Sequence, residues 1–416
     1  MSRCPRRSVL VPWGGGDISP GMNCRPCVYY AMTSKERFLA AFDRRPTDRL
    51  PVTTHHVMPY FLQKYLNGIS NDEFFAMFGL DPVRWIVAFT PDKGRGQYFD
   101  PSHTPGYLEA QRIVTDSWRI ATQDIPDPQY RTVRYTITTP RKPLTTVLQS
   151  NEHTTWVAER LVKEKGDIDL IAEYGVAPIC DRERVNREAE AYGETGLLRG
   201  HIATFEIYGQ PGCWQDASCL FGIEGLIFAT VDDPEWVHAF LSILLERKRT
   251  YVRSLKGVKY DLIEHGGGDA SSTVISPKIF DTFVAPYDGP LIEVAHDAGQ
   301  KIVYHTCGGM MPILERLAAM GPDAMETFTP AGMGGDTVLA SAKKRIGEKV
   351  CMIGGFDQFH YFQGCTPGET REAVRRCFAD AGGGGGYILS PSDHFFDAEP
   401  ALLQAFADEA RSCVYQ

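Results

Sequence analysis

No stretch of the 416-residue chain approaches the ~18 consecutive apolar residues that a membrane-spanning helix needs. Positive charge is not in excess either. The 43 Lys and Arg stand against 52 Asp and Glu, a net charge of -9, which argues against nucleic acid or an anionic membrane surface as the main partner. Residues 1–31 carry Arg3, Arg6 and Arg7 but lack the continuous apolar stretch of a secretory signal. The 11 cysteines show no framework spacing, which fits reduced thiols in a cytoplasm better than disulfides. Cys24-Arg25-Pro26-Cys27 has no second pair to make a metal site. No G-x-G-x-x-G or Walker lysine follows an early strand, which removes the usual nucleotide-binding doubly wound sheet. The Gly382–Gly386 run lacks the Lys-Ser/Thr of a phosphate loop and precedes a strand, so it reads as a helix-to-strand turn.

What is present is a repeated alternation. Residues 1–31, rich in loop-forming runs such as Trp13-Gly14-Gly15-Gly16, read as a disordered extension. Thr33-Ser34-Lys35-Glu36 then looks like a capped helix start, and 32–416 reads as one folded unit. Strands are expected at Leu50–His56, Pro82–Phe89, Leu197–Ala203, Asp261–His265, Lys301–Tyr304, Asp323–Phe328, Lys349–Gly355 and Tyr387–Pro391. Helices are expected between most of them, including Glu152–Lys165, Asp181–Tyr192 and Pro234–Leu255. Trp118–Leu148 alternates with period two and reads as a β-hairpin insertion in the N-terminal half. Apolar strands alternating with helices about eight times indicate a parallel sheet covered by helices, an α/β (β/α)8 TIM barrel.

In such a barrel the active site lies where strands end. At those ends stand His55, His56, Glu264, His265, Asp269, His305, Cys307, Glu326, Asp357, Asp393 and His394. His305-Thr306-Cys307-Gly308-Gly309 follows a short apolar strand. Alternation along an extended chain puts His305 and Cys307 on one side, where imidazole and thiolate suit zinc. Asp393 or His394 after the last strand, and Glu326, are the candidate oxygen or nitrogen partners. Adjacent His55 and His56 face opposite ways on an extended strand, so at most one is expected to point inward, as a substrate contact. Glu264, Asp269 and Asp357 are candidate acid/base or substrate-orienting carboxylates, and His265 a substrate contact.

Ser276-Pro277-Lys278-Ile279-Phe280, Pro286-Tyr287, His296-Asp297-Ala298-Gly299, His305-Thr306-Cys307-Gly308 and Gly354-Gly355-Phe356-Asp357 together resemble the uroporphyrinogen decarboxylase (URO-D) superfamily. Gly386-Tyr387-Ile388-Leu389-Ser390-Pro391-Ser392 extends the likeness, as do Ser34-Lys35-Glu36-Arg37 and Arg49-Leu50-Pro51-Val52. The resemblance implies a (β/α)8 barrel. True uroporphyrinogen decarboxylases carry an arginine-rich motif after the first strand; here Thr53–Phe61 contains no arginine. The methylcobalamin:coenzyme M methyltransferase-like branch uses zinc held by His-x-Cys and a distant Cys. His305 and Cys307 match the first two positions, and the third reads Pro391-Ser392-Asp393-His394.

The resemblance therefore implies zinc-dependent methyl or alkyl transfer between a corrinoid and a thiol-type acceptor. No Asp-x-His-x-x-Gly pattern is present, so the corrinoid would ride on a separate protein. The alternatives are metal-free decarboxylation of a tetrapyrrole or other polycarboxylate, and a non-catalytic barrel that binds a corrinoid or tetrapyrrole. Each has a small-molecule ligand and needs neither nucleic acid nor membrane.

Overall fold

The computed structural model describes residues 31–91, 96–99, 111–203 and 207–415. The expected N-terminal extension, apart from residue 31, lies outside these residues, and so does the Cys24/Cys27 pair. Chain order begins with a helix, Ser34–Phe42, capped at Thr33, whose side chain and that of Glu36 bond reciprocally to each other's backbone.

Seven strands form one parallel sheet: β1 (Val83–Trp85), β2 (Leu197–His201), β3 (Leu262–Gly266), β4 (Ile302–His305), β5 (Ala324–Thr327), β6 (Cys351–Phe356) and β7 (Tyr387–Pro391). They neighbour one another in sequence order, so every connection is a crossover that carries a helix to the outside. Ile302, Val303 and Tyr304 of β4 are fully buried, as residues covered on both faces of a parallel sheet must be.

The eighth stave is the segment 50–53. Leu389 N donates to Pro51 O and Thr53 N to Leu389 O, both at 2.9 Å, while Asp81 N donates to Val52 O at 2.7 Å. These bonds join β7 to the entrance of β1 and close the barrel. The strand expected over Leu50–His56 is reduced to a bridge at Val52, because Pro51 has no N–H to give and the chain leaves the extended form before His55. Asp81 holds this seam. Its fully buried carboxylate accepts from Arg37, Arg49, Ser34 Oγ and the Val52 N–H.

The insertion is larger than a hairpin. Arg119–Ile125, Arg131–Thr138, Leu144–Ser150 and Thr155–Glu159 form a four-stranded antiparallel meander. The helix expected over Glu152–Lys165 is thus corrected: Thr155-Trp156-Val157 are strand formers, and their cross-strand partners on Leu144–Ser150 decide the matter. Two helices with no clear sequence signal, Asp167–Tyr174 and Cys213–Phe221, pack against the long helix Pro234–Ser254. No helix of the described residues is long and apolar enough to cross a membrane.

Asp48 pairs with Arg37 beside the seam. Burial would raise its carboxyl, but the Arg37 hydrogen bond and charge bring it below the usual 3.8. A depressed folded value adds stability above the unfolded value and loses it as pH falls through the folded one. The melting temperature is therefore expected to drop more steeply below pH 3.8 in the wild type than in Asp48→Asn, measured by thermal melts from pH 6 to pH 2.

Candidate active site

Alternation within the strands selects what faces the barrel axis. Arg199 of β2, Glu264 of β3, His305 of β4 and Glu326 of β5 all point inward at the carboxyl ends of their strands. His55, just beyond the closing segment, joins them from above. One ligand-capable atom from each of His55, Glu264, His305 and Glu326 lies within 4.8 Å of the others.

Arg199 is the counter-charge beneath. It is 3% exposed and donates to Glu264 Oε2 at 2.5 Å, to Glu326 Oε2 at 3.0 Å and also to Glu326 Oε1. Its guanidinium carbon sits 4.4 Å from the centre of the Trp85 ring, whose Nε1 donates to His55 O at 3.0 Å. His55 stands between the two carboxylates, Nε2 3.7 Å from Glu264 and Nδ1 3.5 Å from Glu326, and its buried Nδ1 makes no hydrogen bond.

His305 Nδ1 lies 3.0 Å from Glu326 Oε1. Burial disfavours the imidazolium, yet hydrogen bonding with Cys307 and Glu326, and the charge of Glu264, hold His305 well above its ordinary value. Burial alone would raise Glu326, but Arg199 and the two histidines carry it well below the carboxylate range. The carboxylate is thus ionised in a nearly water-free place.

A cavity of about 270 Å³ opens above this group. Trp85, Phe75, Met58 and Ile86 supply its apolar wall, and His55, His56, His201, Asn71 and Glu264 its polar atoms. No lysine or arginine is among the described residues that line it. His55 and His56 both line the cavity, against the expectation that only one would. The strand ends before them, so alternation no longer applies, and the His56 ring stacks on Trp85 with centroids 4.3 Å apart. Burial, with His55 and Arg199 adding, drives His56 well below the ordinary histidine value, so its ring is neutral.

The other expected residues fall elsewhere. Cys307 is His305's hydrogen-bonding neighbour but stands outside the group of four. Asp393 pairs with His394 at 2.8 Å, also outside that group. Burial would raise Asp393, yet His394 first, then His305 and His55, hold it well below the usual range. Asp269 is committed to the helix Cys213–Phe221, accepting from Gln215 and Ser218. Asp357 caps the turn Gln358–Tyr361 and pairs with His360 at 2.8 Å. His265 is fully buried on the outer face of β3, 3.5 Å from Asp288. Three participants carry no sequence motif: Arg199, Trp85 and His201. A charged residue following Leu197-Leu198 inside a buried strand is the one signal that could have marked the first of them, though not its partners.

Comparison with known proteins bears on the family and the fold. The family model described as uroporphyrinogen decarboxylase (URO-D) matches residues 206–413. A uroporphyrinogen decarboxylase of Neisseria meningitidis serogroup C is 34% identical over 89 residues, 21% of this chain and 22% of that protein. Sequences from serogroups A and B of the same species match to the same extent, so the chain aligns with about a fifth of these relatives' length. Among solved structures, a methyltransferase from Methanosarcina mazei superposes with a TM-score of 0.56 at 14% identity, covering 92% of this chain and 99% of that one. At that identity the likeness concerns the fold.

Proposed function

From the premise that the chain belongs to the uroporphyrinogen decarboxylase (URO-D) family, we propose that it is a barrel enzyme of metal-assisted methyl or alkyl transfer to a small thiol. The observation that carries this reading is the convergence of His55, Glu264, His305 and Glu326 at the carboxyl ends of the strands. Two imidazoles and two carboxylates suit zinc. Zinc bonds of ~2.1 Å would draw these donors in from their 4.8 Å spread, and Glu264, the carboxylate that borders the cavity, would be the one to yield a position to the thiol. The buried Nδ1 of His55, which makes no hydrogen bond and only a 3.5 Å approach to Glu326, is the kind of atom a cation would satisfy. A bound divalent ion there would supply a lowered thiol pKa, making thiolate available near neutral pH.

The chain's own groups do the rest. Glu264, the carboxylate that borders the cavity, orients the incoming group. Trp85, Phe75 and Met58 keep water from the reacting atoms. The methyl–cobalt bond of a corrinoid, carried on a separate protein, breaks as the sulfur–carbon bond forms, and cobalt keeps the electron pair. The residues around the cavity disfavour the decarboxylation alternative. A polycarboxylate tetrapyrrole needs cationic side chains to grip it, and Arg199, the arginine that the described residues place beneath the site, is already bound to two glutamates.

The test is a pair of assays on one preparation. Methylcobalamin consumption with a panel of small thiols is expected, abolished by a chelator and restored by Zn²⁺. Release of carbon dioxide from uroporphyrinogen, unaffected by the chelator, would overturn the proposal.

A further inference from the structure

Arg199 is the one group in this site whose presence a cation site does not require. It lies 3% exposed on the axis side of β2, and its guanidinium bridges Glu264 and Glu326, the two oxygen donors of the group. Its Nε has no hydrogen-bond partner, so it is held by the two carboxylates and the Trp85 face rather than by a complete donor set. Two carboxylates side by side repel each other unless a cation lies between them, and Arg199 is that cation here.

We infer that Arg199 is a built-in competitor for the metal ion: it neutralises Glu264 and Glu326 in the empty site and must loosen its hold on them as a divalent cation binds. This rests on the metal reading above. The physical reason lies in lone pairs and charge. Glu326 Oε1 already faces Arg199, His305 Nδ1 at 3.0 Å and His55 Nδ1 at 3.5 Å. Glu264 Oε2 faces Arg199 at 2.5 Å and His55 Nε2 at 3.7 Å. The lone pairs a cation would take thus point at groups that already use them, and a guanidinium at hydrogen-bond distance repels an ion bound to the same oxygens. Arg199 is therefore a positioning residue. It holds the carboxylates aimed, and it sets the affinity of the site lower than four such donors would otherwise give.

The Trp85 contact adds a consequence for the cavity. The indole that stacks under the guanidinium also bonds the His55 backbone and packs against the His56 ring. A shift of Arg199 on cation binding is transmitted to the aromatic wall where the substrate sits.

The experiment is calorimetric titration of the full chain with Zn²⁺ alone, for wild type, Arg199→Ala and Arg199→Lys. Arg199→Ala is expected to bind Zn²⁺ at least tenfold tighter, and methylguanidinium, which can fill the vacated place, to weaken that binding back toward the wild-type value. A purely structural role would not produce this reversal. Should Arg199→Ala fail to fold, Arg199→Lys carries the test, because one ammonium cannot span both carboxylates, and a gain of several-fold is expected. Stoichiometric zinc in the wild type with equal or weaker binding in the folded variants would overturn the role of Arg199 alone. Zinc binding in none of the three proteins would overturn the metal reading and this inference together.

Discussion

Asp81→Ala is expected to lower the unfolding free energy by about 3–5 kcal/mol, the range for removing one partner of a buried charge network. Asp81 is fully buried and is the common acceptor of Arg37 Nη1 at 2.6 Å, Arg49 at 2.8 and 2.9 Å, Ser34 Oγ at 2.8 Å and the Val52 N–H at 3.0 Å. Its loss strands the Arg37 guanidinium, itself 5% exposed, with only its two bonds to Asp48 and one to the Met32 carbonyl to answer it. The same substitution removes the side-chain hold on the segment 50–53, the one-bridge stave that closes the barrel. Because His55 follows directly, the site is expected to loosen with the seam. Asp81→Asn keeps one carbonyl acceptor and should fall between the two. Urea denaturation of the three proteins measures this, and a change under about 1 kcal/mol in Asp81→Ala would show that the seam does not depend on this carboxylate.

Glu326→Gln is expected to reduce divalent-cation affinity by at least about 100-fold, the upper end of what loss of a supporting partner costs, because here a direct oxygen donor loses its charge. Glu326 is 2% exposed and contacts both histidines of the group and the arginine beneath it: His305 Nδ1 at 3.0 Å, His55 Nδ1 at 3.5 Å and Arg199 at 3.0 Å. Glutamine keeps the volume, so packing around β5 is preserved while the charge is not. The change also removes one of the groups that hold His305 above its ordinary value, so His305 is expected to titrate at lower pH in the variant. Calorimetry with Zn²⁺ and histidine NMR titration read the two effects separately.

The barrel is legible in the sequence because its strands are buried on both faces. Ile302-Val303-Tyr304 and Cys351-Met352-Ile353 are apolar runs that end at polar or glycine residues, and such runs mean a parallel sheet whatever the side chains do at the end. Errors gather where tertiary pairing outweighs local pattern. Glu152–Lys165 carries helix-compatible residues, yet Thr155–Glu159 pairs with Leu144–Ser150.

At the site, alternation fixes the side of residues that sit inside a strand and does not reach those just beyond one. His305 and Glu326 are within their strands, so alternation fixes their side. Cys307 lies past the end of β4, and His56 past the closing segment, where alternation has no hold. Arg199 is invisible for another reason. Its partners Glu264 and Glu326 lie 65 and 127 residues away, and a single charge within an apolar strand says that a partner exists without saying which.

The most direct test is X-ray absorption at the zinc edge on the protein reconstituted with one equivalent of Zn²⁺. The arrangement of His55, Glu264, His305 and Glu326 calls for a first shell of nitrogen and oxygen alone at about 2.0–2.2 Å, lost in Glu326→Gln. A sulfur scatterer near 2.3 Å would place Cys307 or another thiol in the shell and contradict it, as would a protein that takes up no zinc at all.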